Sequence, residues 1–122
     1  MTIGAGDFLL VRTRQMERCL AEGWGTFAGG DAPGMKFETA DLCRTRDIAA
    51  VATDTCGLEV RPNEVEGIFQ PWHWVVIRSS GLDWARCFIS GNLPRTVYEF
   101  MFIGAALPFI GTVGCPLNPM AV

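Results

Sequence analysis

The 122-residue chain contains one histidine, His73, within Gln70-Pro71-Trp72-His73-Trp74, so any imidazole chemistry rests on a single side chain. A metal centre needs three or four converging ligands, and a histidine base needs a nucleophile or water set against it by other groups. Apart from it, acids gather at Asp54, Glu59, Glu64 and Glu66. These acids could hold a hard cation, but their spacing does not match a calcium loop, and they read as a solvated acidic loop. The five cysteines, Cys19, Cys43, Cys56, Cys87 and Cys115, are widely separated and form no C-x-x-C pair. That argues against a zinc ribbon or a dithiol redox site, and the odd count fits reduced, cytoplasmic thiols.

The elements that must position these residues alternate between strand and helix. Asp7 to Thr13 is a short, nearly continuous apolar run, the pattern of a strand buried on both faces. Gln15 to Glu22 can form a helical turn or two, and Gly23 to Gly34 is a loop by its glycine and proline punctuation. Thr39 is a candidate N-cap for a short helix over Ala40 to Arg46, and Ile48 to Ala52 reads as a second strand. Thr53-Asp54-Thr55 then falls at a strand's carboxyl end, where open α/β sheets place functional groups. The same triplet is also an ordinary Asx or Ser/Thr turn. Pro71 fixes a helical φ and lacks a donor that the first turn would waste, so Pro71 through Arg78 reads as a helix with His73 in its first turn. A histidine between two tryptophans on a short helix is more often a packed or hydrogen-bonded core residue than a ligand. Tyr98 to Ile103 reads as a further buried strand, and Gly114 to Pro119 carries turn chemistry.

Composition narrows the function classes. The chain is 49% hydrophobic with a formal net charge of -3, and has a positive mean hydropathy and a pI near 5.0. That is one modest globular domain spanning residues 1–122 with no basic stripe, so nucleic acid is not an expected partner. Residues after Met1 show neither a basic n-region nor a long apolar h-region, so no signal peptide is expected. The most apolar stretch, Val97 to Gly111, contains Glu99 and Pro108 and is too short to span a bilayer. It reads as core strand, and no membrane partner is expected. Gly23 to Gly34 is not a phosphate loop, since no Gly-Lys-Ser/Thr follows.

An ordered set of segments carries a resemblance. Gly6-Asp7-Phe8-Leu9-Leu10-Val11-Arg12-Thr13, Gly30-Asp31-Ala32-Pro33-Gly34, Asp47 through Thr55, Gly57 through Glu64, and Phe69-Gln70-Pro71-Trp72-His73 follow one another. Val97-Tyr98-Glu99-Phe100, Leu107-Pro108, Gly111, Val113-Gly114, Pro116 and Asn118-Pro119 continue the series. Together they resemble the cyclase family, metal-dependent hydrolases that include kynurenine formamidase. The resemblance implies an α/β fold: a partial swivelling β/α/β (cyclase-like) domain with a small mixed sheet and flanking short helices. It also implies hydrolysis of amide-like or cyclic substrates, such as N-formylkynurenine, by water on zinc or manganese. The metal would lower the pKa of its water and polarise the carbonyl.

Departures from the family pattern bear on activity. The family's His-x-Gly-Thr-His-x-Asp motif lies upstream of the Gly-Asp strand, and this sequence begins at Met1, almost on that strand. Of the ligands the resemblance implies, His73 matches the histidine of the Gln-Pro-x-His segment, and Arg86 stands where a glutamate is expected. His73 is therefore expected to be a vestigial metal ligand, with no catalytic or cofactor-binding residue assigned and no zinc or manganese bound by this chain alone. Residues 83–96 depart from the family although both flanks match. A back-translation of them in a shifted frame restores a Leu-Gly-Glu segment, which suggests a local frame slip or simple divergence. Ser90-Gly91-Asn92 and Pro94 break helices, so an irregular loop is expected there. The family's Arg-Thr-Gly after the first strand is Arg12-Thr13-Arg14 here, which puts a tight turn in doubt. Three functional readings follow: a truncated hydrolase inactive alone, an enzyme completed by another chain or a second copy, and a non-catalytic association domain.

Overall fold

The computed structural model describes residues 2–80, 83–85, 93–112 and 114–122. The chain divides into two compact units, Thr2–Asn92 and Leu93–Val122. The first holds a three-stranded, all-parallel sheet in the order β1 (Phe8–Val11), β2 (Ala50–Thr53) and β3 (Asp83–Ala85). Helices α1 (Gln15–Glu22) and α2 (Thr39–Thr45) lie in the connection from β1 to β2, and α3 (Pro71–Ser80) in that from β2 to β3. Parallel neighbours need such crossovers, which is why strand and helix alternate here. Among the described residues this is a small α/β architecture with three helices. The expected single mixed sheet is instead two sheets, one parallel and one antiparallel.

The sheet's register puts Leu9 opposite Val51 and Val11 opposite Thr53. Alternation along a strand sends Leu9 and Val11 to one face. There they pack on a core of Met35, Ala40, Cys43, Ile48, Val51, Leu58, Trp72 and Val76. All four residues of β2 are buried, because it has a strand on each side. β1 was expected to be buried on both faces, but its residues are only half-buried, since β2 is its only neighbour among the described strands. Strand β2 also starts two residues later than the apolar run suggests. Ile48 instead donates its amide to the Cys43 carbonyl at 3.1 Å, closing the end of α2.

Helix boundaries follow local chemistry with two departures. Thr39 is the first residue of α2 and not its cap; Glu38 occupies the cap without a side-chain hydrogen bond. The Thr39 hydroxyl donates to the Lys36 carbonyl at 2.6 Å. Arg14 caps α1 with φ 71 and ψ 9, so the turn where the family has glycine is retained, with arginine in a left-handed backbone. Its exposed ion pair with Glu17, 3.2 Å, adds little. Left-handed backbone costs a side-chain-bearing residue about 1–2 kcal/mol, and glycine's extra unfolded freedom returns about 0.5–1 kcal/mol of that gain. Arg14→Gly is therefore expected to stabilise the unit by about 0.5 kcal/mol, seen as a higher urea midpoint at unchanged slope. A lower midpoint would contradict this account of the turn.

The Asp83–Ala85 segment, where an irregular loop was expected, pairs with β2 in parallel register, Ala50 opposite Asp83 and Ala52 opposite Ala85. Residues 86–92, including Arg86 and Cys87, lie outside the described residues.

The Leu93–Val122 unit contains a two-stranded antiparallel sheet of β4 (Phe102–Ile103) and β5 (Met120–Ala121). Reciprocal backbone hydrogen bonds, from the Met101 amide to the Val122 carbonyl at 3.0 Å and from the Val122 amide to the Met101 carbonyl at 2.9 Å, close its end. The expected buried strand over Tyr98 to Ile103 shrinks to the two residues of β4. Tyr98 is 71% and Met101 58% exposed, and no described residue of this unit is buried. Too few strands lie here to enclose a core. No helix among the described residues is long and apolar enough to cross a membrane.

Candidate functional site

The site is built around His73. Pro71 starts α3, Gln70 precedes it with φ 55, and His73 sits in the first turn as its sequence predicts. The imidazole is buried, and its Nδ1 lies 2.9 Å from Glu59 Oε1. The other carboxylate oxygen, Oε2, accepts the Trp72 backbone N–H at 3.0 Å. That N–H belongs to the first helical turn and has no partner within the helix, so the carboxylate also acts as a helix-start acceptor.

Glu59 is placed by its own backbone. Met35 and Glu59 form a parallel bridge in which the Met35 amide donates to the Leu58 carbonyl at 2.9 Å and the Val60 amide to the Met35 carbonyl at 3.0 Å. Gly34 permits this approach, because a Cβ there would lie 2.5 Å from both the Leu58 carbonyl oxygen and the Glu59 carbonyl carbon. Leu58 has φ 66 although its side chain is fully buried. Left-handed backbone at a non-glycine residue persists only where the surroundings over-determine it. Here the Met35 bridge and the Leu58 side chain, within the core, supply that constraint.

The reading of the acids as one solvated loop fails for two of them. Glu59 is 2% exposed and holds His73, and Asp54 is 4% exposed. The Asp54 Oδ1 accepts both the Thr13 amide and the Thr13 hydroxyl at 2.7 Å, tying the exits of β1 and β2 together. Glu64 is exposed and accepts the Phe37 amide at 3.3 Å; Glu66 is exposed too. Of the two readings of Thr53-Asp54-Thr55, the turn accounts for both threonines. Their hydroxyls are 2.8 Å apart, and the Thr55 hydroxyl accepts the Leu58 amide at 3.1 Å. This turn carries the chain from β2 towards Glu59.

Beside the pair lies a cleft of about 500 Å³ whose lining includes Asp31, Glu59, Arg61, Asn63 and Gln70. The Arg61 guanidinium braces one wall by donating to the Ala28 and Phe27 carbonyls at 3.0 and 3.2 Å.

Sequence reasoning placed His73 correctly but missed its partner. The available signal was an acid flanked by Leu58 and Val60 in an otherwise apolar stretch. Such an acid is buried only when paired. Cys19 and Cys43 are buried free thiols, and Cys56 and Cys115 are half-buried. Burial pushes the Cys43 thiol up from its ordinary value, partly opposed by a backbone hydrogen bond, which keeps it protonated rather than a thiolate ligand.

The donor set was tested against zinc or manganese. Glu59 spends both oxygens on Trp72 and His73, and no group of three or more His, Cys, Asp or Glu side chains among the described residues could hold a metal ion. A coordination shell of three or four protein donors is therefore not assembled by these residues alone.

No protein-family model and no curated protein matches the chain. Its structure is similar to a crystal structure described as that of a novel cyclase, with a TM-score of 0.86 and 27% sequence identity. The similarity covers 99% of this chain and 41% of that one, so the chain spans about two-fifths of the length of the cyclase it matches. The fold is thus cyclase-like.

Proposed function

We propose that the chain is the carboxyl-terminal part of a cyclase-like, arylformamidase-like metal-dependent hydrolase, inactive by itself, with His73 a vestigial metal ligand. The observation that carries this reading is the match of nearly the whole chain to two-fifths of a cyclase, combined with a buried His73–Glu59 pair. In the complete hydrolase, zinc or manganese would supply activated water and polarise the scissile carbonyl. What this chain contributes is one imidazole, held rigidly by Glu59. Its reduced thiols fit a cytoplasmic setting. Purified protein is expected to retain no stoichiometric zinc or manganese and to leave N-formylkynurenine unhydrolysed when either metal is added. Stoichiometric metal with metal-dependent turnover would instead establish an active enzyme, completed by a second copy if the active species is an oligomer.

A second reading, that the chain serves as an association domain, is favoured by the Leu93–Val122 unit. Phe109 is 54% and Ile110 fully exposed there, and Leu107 and Met120 are more than half exposed. Exposed apolar side chains mark an interaction site where they form one contiguous patch. Light scattering during size exclusion is expected to show a species larger than 13.3 kDa. A monomer across the accessible concentration range, without hydrophobic dye binding, would refute it.

A further inference from the structure

We propose that Glu59 is a positioning residue that fixes His73 as its Nδ1–H tautomer, so that Nε2 is the nitrogen carrying the lone pair. The pair is buried, Glu59 at 2% and His73 at 8% exposure, and each carboxylate oxygen has its own donor. Trp72 N–H, 3.0 Å from Oε2, is a backbone donor that cannot change its role. A carboxylate only accepts, so the 2.9 Å contact between Oε1 and Nδ1 requires the proton on the imidazole. Neutral imidazole carries one N–H and one lone pair, which places the lone pair on Nε2.

The surroundings leave neither partner free to turn away. The Met35 bridge and Leu58's left-handed backbone hold Glu59. The neighbouring Trp72 ring donates from Nε1 to the Thr39 hydroxyl at 3.0 Å, anchoring the first turn of α3. A carboxylate that holds one ring nitrogen fixes the tautomer and the orientation of the ring. Glu59 thereby makes Nε2 the ring atom whose lone pair could ligate a divalent cation or accept a proton. Only that use rests on the hydrolase reading; the tautomer follows from the chain's own hydrogen bonds.

Because His73 is the only histidine, ring nitrogen-15 spectra report on it without assignment ambiguity. The full chain is measured with chelator present at alkaline pH, where imidazole is neutral, so hydrolytic activity plays no part in the result. The wild type is expected to show a protonated Nδ1 and an unprotonated Nε2, with a nuclear Overhauser contact from the Nδ1 proton to the Glu59 side chain. In Glu59→Gln the amide has one acceptor oxygen, which the Trp72 N–H claims. Its NH2 then faces Nδ1 and reverses the tautomer to Nε2–H. A wild type with Nε2–H overturns the proposal, as does a folded Glu59→Gln variant that keeps Nδ1–H. If that variant does not fold, absence of the Overhauser contact in the wild type overturns it instead.

Discussion

Trp72→Ala is expected to destabilise the Thr2–Asn92 unit by about 4 kcal/mol, the upper range for emptying a large buried aromatic site. Trp72 is fully buried in the core cluster, which also includes Ala40 and Cys43 of α2, Val51 of β2 and Val76 of α3. Removing the indole takes away its apolar contacts and its hydrogen bond to Thr39 together. Core backbone on several sides prevents full collapse, so the cavity term adds to the transfer term. Small domains have total stabilities of about 5–15 kcal/mol, so the loss removes between about a quarter and four-fifths of the total. Trp74→Ala provides the contrast. That side chain is 69% exposed and donates only to the Phe69 carbonyl at 3.1 Å, and its loss is expected to cost less than about 1 kcal/mol. Urea unfolding of both variants checks the pair, and equal effects would mean that Trp72 does not occupy the core described.

Glu59→Ala is the second large effect, expected to cost about 3 kcal/mol because two buried donors lose their acceptor at once, each at about 1–3 kcal/mol. The Trp72 amide has no alternative partner in the helix, and the Nδ1–H of His73 faces the vacated space. A double-mutant cycle separates the two donors. In a His73→Ala background the imidazole no longer needs the carboxylate, so Glu59→Ala should cost less there by about 1–2 kcal/mol. Additive effects would show that the two side chains do not interact. The cycle measures coupling in the free energy of folding, whereas nitrogen-15 spectra read the tautomer itself, so the two experiments fail independently.

Local features were legible without the structure. The first helix runs over Gln15–Glu22 as read, because its ends are set by Arg14-Gln15 and Gly23 within a few residues. Pro71 starts its helix for an equally local reason, a fixed φ and a missing donor. Burial was harder to read. The run around Phe8–Val11 has the composition of a strand covered on both faces, yet among the described strands it has one partner and it is half-buried. Tyr98 to Ile103 is also rich in apolar residues, but its unit holds two short strands among the described residues, and Tyr98 and Met101 remain exposed. Apolar character states what a strand would bury if something covered it. It does not state what covers it.

At the site, residue types and their order establish that one imidazole is available, that it lies in the first turn of a helix, and that its flanking segments resemble a cyclase-type hydrolase. These follow from residue identity, from short-range backbone preferences and from the order of motifs along the chain. Only the tertiary structure decided that Glu59 leaves the apparent acidic loop to hold His73, while Asp54 turns to Thr13 across 41 residues. The reason is that a buried carboxylate is stable only where donors converge. That convergence depends on the Gly34–Met35 segment pairing with Leu58 and Glu59, and on α3 packing beside them. Spacing along the chain carries no record of such a meeting, so the partner of the lone histidine became visible only once the fold was closed.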